Sequence, residues 1–169
     1  INADFNPNDE VVNVVTVANA GELQNAINNA PAGENTEIIL DGDINLNDLL
    51  AAGTLSTRAA TLPLVIPAEK NILLNLNGKT INVNREDESA GKHYYAFENH
   101  GSPTITGAGI INARGNFNYG TMVLDNATIN AIDGNGGYAV RNYEGAEFTM
   151  NGGTLATTLE DDNQVNNGG

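Results

Sequence analysis

The hydrophobic positions of this chain fall in short runs bounded or interleaved by polar residues: NILLNL from Asn71, TINVN from Thr80, SPTIT from Ser102, GIINA from Gly109, TMVL from Thr121, ATINA from Ala127, AEFTM from Ala146 and GTLAT from Gly153. Each run is too short for a helix. The residues between them are Asn, Gly and Asp, which accept left-handed backbone and mark corners. The pattern predicts many short strands joined by tight turns.

One phrase recurs through these runs. It reads LNGKTI at Leu76–Ile81, ITGAGI at Ile105–Ile110, LDNATI at Leu124–Ile129 and MNGGTL at Met150–Leu155, at spacings of 29, 19 and 26 residues. Self-similarity at such a period is the signature of stacked repeats. Helical and leucine-rich repeats do not fit, so the expectation is a β-coil with about three short strands per turn.

The first third differs. Residues 1–10 are polar and read as a mobile arm, and Val11–Val17 is a strand. Asn19 and Glu22 form a capping-box pattern, Leu23, Ala26, Ile27 and Ala30 make one apolar stripe, and Pro31 and Gly33 end the helix. A solenoid needs a polar-backed terminal cap, and this helix is expected to plug one end of the coil. Thr36–Leu46 reads as a first coil, residues 48–68 as an inserted loop, and Arg85–Lys92 as a charged excursion. The domain therefore runs over 11–169, with strand and cap at 11–33 and coils over 34–169. The absence of a closing cap after Met150 predicts the N-terminal part of a longer solenoid, or end-to-end self-association through an open last coil.

A second echo, Tyr95-Ala96-Phe97-Glu98-Asn99-His100 against Tyr138-Ala139-Val140-Arg141-Asn142-Tyr143, recurs at an offset of 43. With the phrase, it makes the chain resemble the right-handed single-stranded parallel β-helix of the pectin lyase-like superfamily, in particular the Asn- and Gly-rich surface proteins of gut Bacteroidetes. The resemblance implies an all-β fold of about five coils with an N-terminal capping α-helix. It also implies an extracellular or cell-surface location.

Charge and composition narrow the chemistry. Seven Lys and Arg stand against 21 Asp and Glu, a formal charge of −14, which disfavours nucleic acid and anionic membranes. No cysteine is present, so neither disulfides nor thiolate metal sites arise, and no long apolar run predicts membrane insertion. The 28 Asn suit corners, and an internal amide ladder is expected from Asn77, Asn126 and Asn151 rather than an outward binding row.

Hydrolases of the resembled superfamily carry Asn-Thr-Asp, Asp-Asp, Gly-His-Gly and Arg-x-Lys on one face. This chain has Asp161-Asp162 and an Asn-His-Gly at His100, with no Arg-x-Lys. Arg114 and Arg141 lack the carboxylate cluster of a calcium-dependent lyase, so no catalytic residue is assigned. Asp41, Asp43 and Asp48 are the candidate ligands for a calcium ion, and no other cofactor is expected. Tyr94, Tyr143, His93, His100 and Arg141 are the candidate binding residues, while Tyr95, Phe97 and Tyr138 are expected in the core. The functional expectation is a non-catalytic, adhesin-like module contacting glycan or surface protein through outward loops. The alternatives are a polysaccharide lyase or glycoside hydrolase, whole or truncated, and a structural spacer.

Overall fold

The computed structural model describes residues 10, 13–51, 64–83, 95–132 and 137–158. His93, Tyr94, Asp161, Asp162 and the Arg85–Lys92 excursion lie outside them. The described chain is all-β apart from helix α1 (Ala20–Asn29) and the single turn α2 (Asp48–Ala51).

Three parallel sheets carry the strands. Sheet A runs β1 (Asn13–Val17), β2 (Asn35–Leu40), β5 (Asn71–Asn75), β8 (Ser102–Thr106), β11 (Thr121–Leu124), β14 (Glu147–Met150). Sheet B runs β3 (Ile44–Asn45), β6 (Thr80–Asn82), β9 (Ile110–Ala113), β12 (Thr128–Ala131), β15 (Thr154–Thr157). Sheet C runs β4 (Leu64–Ile66), β7 (Tyr95–Asn99), β10 (Gly115–Asn118), β13 (Arg141–Asn142). From β2 onward the chain visits A, B and C in fixed rotation, so each strand lies beside its counterpart from the previous pass. That topology is compatible with a β-helix or solenoid.

Alternation fixes which residues face inward. Ile38, Leu74, Ile105 and Leu124 stand in one register column of sheet A, and Ile44, Ile81, Ile111 and Ile129 in one of sheet B. All are buried, and they meet between the sheets in one cluster with Leu64, Ile66 and Phe97. Each such side chain contributes about 1.5–3 kcal/mol on burial.

The recurring phrase is the corner between sheets A and B. Its turn residues hold the left-handed backbone the corner needs: Asn77 at φ 50°, Ala108 at 56°, Asn126 at 61° and Gly153 at 88°. The last two copies align throughout, with Leu124 opposite Met150 and Ile129 opposite Leu155. The first two copies do not, because each has a longer corner than the next: Leu74, not Leu76, pairs with Ile105, and Ile81 and Ile129 both pair with Ile111 rather than Ile110. Exposed Ile110 therefore faces out where the phrase alone places it in the core.

The expected inserted loop is shorter than 48–68. Leu64 and Ile66 point into the core with Val65 outward, so this segment is a working strand of sheet C, and Pro63 and Pro67 bracket it rather than interrupt it. The Asn ladder is also misplaced by the phrase. Asn77, Asn126 and Asn151 are exposed corner residues, and Asn77 Nδ2 donates to Leu40 O at 3.0 Å. The amide columns lie elsewhere, one of them on sheet B where Asn130 donates to Asn112 and Asn112 to Asn82, each at 2.9 Å.

Helix α1 behaves as a cap. Asn19 Oδ1 accepts from Glu22 N at 2.9 Å, while Glu22 Oε2 accepts from Ala18 N at 2.8 Å, one residue before the expected position. Ala20, Leu23, Ala26 and Ile27 are buried. Gln24 grips the edge of β4 through both its amide groups, donating to Val65 O and accepting from Val65 N. At the far end, buried Lys70 donates Nζ to Asn28 O and Ala30 O, placing a cation on the carbonyl end of the helix.

Candidate functional site

The exposed chemistry gathers on sheet C and the corner that follows it. Register sets Asn99, Asn118 and Asn142 in one column. Asn99 Nδ2 donates to Asn118 Oδ1 at 2.7 Å, and Asn118 Nδ2 to Asn142 Oδ1 at 2.9 Å; Asn99 and Asn118 are fully buried. Each buried amide also folds the corner, as Asn99 Oδ1 accepts from Gly101 N and Asn118 Oδ1 from Gly120 N. Glycine is needed there, since a Cβ on Gly101 would lie 2.4 Å from Pro67 O and one on Gly120 2.4 Å from Gly101 O.

With the corner fixed, the residue after each Asn is turned outward at the same place in successive passes. These residues are His100, Tyr119 and Tyr143, and their rings stack: 4.9 Å and 6° between the first two, 4.1 Å and 13° between the last two. A neighbouring column on sheet C holds Glu98, Phe117 and Arg141. Glu98 Oε1 lies 2.9 Å from His100 Nε2, and the exposed Arg141 guanidinium sits 5.1 Å from the Tyr143 ring centre and 5.8 Å from that of Tyr138. Arg141 forms no ion pair among the described residues.

A bulge in β7 changes the fate of Tyr95. Tyr95 pairs with Gly115 and Glu98 with Phe117, so one strand carries an extra residue and the alternation is reset. Phe97 remains in the core as expected, 1% exposed. Tyr95 instead packs on the outer side against Phe117 (4.2 Å) and Tyr138 (6.0 Å), outside the main cluster. Tyr95 is thus buried as expected but on the outer side of the sheet, whereas the expectation of Tyr138 as a core filler is corrected: it is half-buried, and the two rings form the foot of the ridge.

The rings are flanked by a carboxylate, Glu98, and a guanidinium, Arg141. Removal from water, then the hydrogen bond with Tyr95, raises the Tyr138 phenol well above the ordinary tyrosine range. The hydrogen bond with Tyr143, followed by burial, raises Tyr119. Arg141 is held cationic first by its hydrogen bond to Tyr138. Because stacked rings spend their faces on one another, the ridge offers ring edges, hydroxyls and a guanidinium rather than open platforms.

Of the residues anticipated from sequence, His100, Tyr143 and Arg141 come together here. Tyr119 and Phe117 were missed, although the dipeptide Asn-aromatic at Asn99-His100, Asn118-Tyr119 and Asn142-Tyr143 marks the column. The aspartates do not converge: Asp41, Asp43 and Asp48 are exposed, Asp43 Oδ1 accepts from Thr80 N at 2.8 Å, and among the described residues no three His, Cys, Asp or Glu form a metal-binding group. A second polar surface, a groove of about 400 Å³ outside sheet B, is lined by Asn45, Asn82, Asn112 and Asn130. Among the described residues, no helix is long and apolar enough to cross a membrane.

No protein-family model matches the chain, and neither does any curated protein or solved structure.

Proposed function

We propose that this chain is a right-handed parallel β-helix, similar to the pectin lyase-like superfamily, acting as a non-catalytic extracellular or cell-surface module that contacts glycan. The observation that carries this reading is the ridge itself. His100, Tyr119 and Tyr143 form one surface column, with Tyr119 exposed and its neighbours half-buried, beside the exposed guanidinium of Arg141, a concentration of aromatic and guanidinium groups typical of contact surfaces. Hydroxyl-bearing ring edges and a cation suit a polar, hydroxyl-rich partner. On this reading Glu98 and His100 orient the ridge rather than act as acid and base.

The test is a glycan array probed with the intact chain and with Arg141→Ala and Tyr143→Ala, run alongside an unsaturated-product assay on uronic-acid polymers. Binding lost in both variants, with no product formed, supports the reading. Product formation replaces it with the lyase alternative. Binding that survives both changes but fails in Asn130→Ala moves the contact to the groove on sheet B, and no binding anywhere leaves the spacer reading standing.

A further inference from the structure

The other end of sheet A carries a different opportunity. Among the described residues β1 is its edge strand, paired on one side only, with β2. Val17 O accepts from Asp41 N across that pair. Because N–H and C=O of one residue point to the same side of a strand and alternate along it, Val14 and Thr16 turn their backbone groups to the open edge. The strand is correspondingly bare, with Val14 60% and Val15 38% exposed, although Val15 stands in register with fully buried Ile38.

Beside this edge lies a groove of about 390 Å³ between β1 and α1, lined by Val15, Asn25, Asn29 and Thr36 among others. Thr36 is 1% exposed, and its hydroxyl finds no hydrogen-bond partner. A buried polar atom left without a partner costs about 1–3 kcal/mol, so its presence at the floor of an open groove needs a reason. The rim is acidic. Glu22 lines the groove, Glu34 accepts from Asn13 Nδ2 at 3.2 Å, and Glu37, in register with Val14, adds a carboxylate on the opposite face of the sheet.

We propose that the edge of β1 and this groove receive an extended, positively charged peptide strand from another protein. Its backbone pairs with the outward N–H and C=O groups of Val14 and Thr16. Alternate side chains divide between the two faces: basic ones on the outer face meet Glu37, and on the other face a small polar one enters the groove beside Glu22 and satisfies Thr36 Oγ1. Main-chain pairing supplies affinity, and the charge and the Thr36 contact supply selectivity.

The probe is an acetylated, amidated heptapeptide alternating Lys with Thr and Val, compared with versions carrying Glu for Lys or Val for Thr. Binding to the intact chain is followed by calorimetry and by amide hydrogen exchange at Val14 and Thr16. The Lys peptide is expected to bind and to slow both amides, the Glu peptide to bind at least about tenfold more weakly. Thr16→Pro removes an edge donor and is expected to abolish pairing. Thr36→Val leaves the edge intact and should weaken the Thr peptide about three- to tenfold while leaving the Val-only peptide unchanged. Equal binding of Lys and Glu peptides, no protection on binding, or amides of Val14 and Thr16 already protected in the free chain would each overturn the proposal.

Discussion

Asn118→Ala is the most informative single change. Asn118 is fully buried and uses all of its amide: Oδ1 accepts from Asn99 Nδ2 (2.7 Å) and Gly120 N (3.3 Å), and Nδ2 donates to Asn142 Oδ1 (2.9 Å) and Glu147 O (2.7 Å). At about 1 kcal/mol net for each intramolecular hydrogen bond, the four together contribute about 4 kcal/mol. Asn99 keeps Gly101 O and Thr121 O at 3.3 Å, which limits the loss there, whereas Gly120 N and Glu147 O are left to find new partners. The expected destabilisation is therefore about 3–5 kcal/mol, a large share of the 5–15 kcal/mol of a typical domain. Asn142→Ala in the same column serves as the control, because Asn142 is exposed and the buried Asn118 Nδ2 that it accepts from keeps its bond to Glu147 O; its cost should stay near 1 kcal/mol. Urea unfolding followed by circular dichroism measures both, with the slope checking that the unfolded state is unchanged. If the two variants lose the same amount, or Asn118→Ala loses less than about 1.5 kcal/mol, the amide column does not hold the corner as argued.

Other changes test separate parts of the fold. Thr36→Val removes an unpartnered buried hydroxyl while keeping a β-branched shape, so thermal unfolding should show a gain of about 1 kcal/mol; a loss would mean the hydroxyl is bonded. Gly120→Ala drives a methyl to 2.4 Å from Gly101 O, and the resulting backbone shift should cost more than about 2 kcal/mol and quench the Tyr119 stack in near-ultraviolet dichroism. Tyr138 has its folded-state pKa raised, so its contribution is complete below the unfolded value near pH 10 and drains away as pH climbs toward the folded value. Melting temperature should therefore fall above about pH 10, less steeply in Tyr138→Phe, and identical slopes would show that this phenol is not the group responsible.

Much of this architecture is legible in the sequence because the corners are chemical. Asn and Gly at left-handed positions recur visibly, and the capping pattern at Asn19 and Glu22 names its helix. What the residues do not announce is register. The 43-residue echo looks like one repeat, yet Asn99 and Asn142 both pair with Asn118, so it spans two passes with the Gly115–Asn118 strand between them. That middle strand lacks the Tyr-Ala motif, because Gly115 must leave room for the Tyr138 ring, 2.6 Å from where its Cβ would lie. Tyr95 defeats the alternation rule for a similar reason, since a one-residue bulge moves it to the outer side. Leu64–Ile66 is hidden by its flanking prolines, which usually signal a loop.

The two amide columns have opposite polarity. Along sheet C, donation runs from Asn99 to Asn118 to Asn142; along sheet B it runs back, from Asn130 to Asn112 to Asn82. The side-chain dipoles therefore oppose one another, and the columns add little net field along the stack. At the β13–β15 end the columns finish differently, one on the exposed amide of Asn142, the other on Asn130 Oδ1, already stoppered by the Thr158 hydroxyl at 3.0 Å. A further layer laid there continues the first column only by presenting an acceptor. To extend the second it must displace Thr158 with a donor. Among the described residues, the two columns thus leave one free donor and one capped acceptor at the β13–β15 edge.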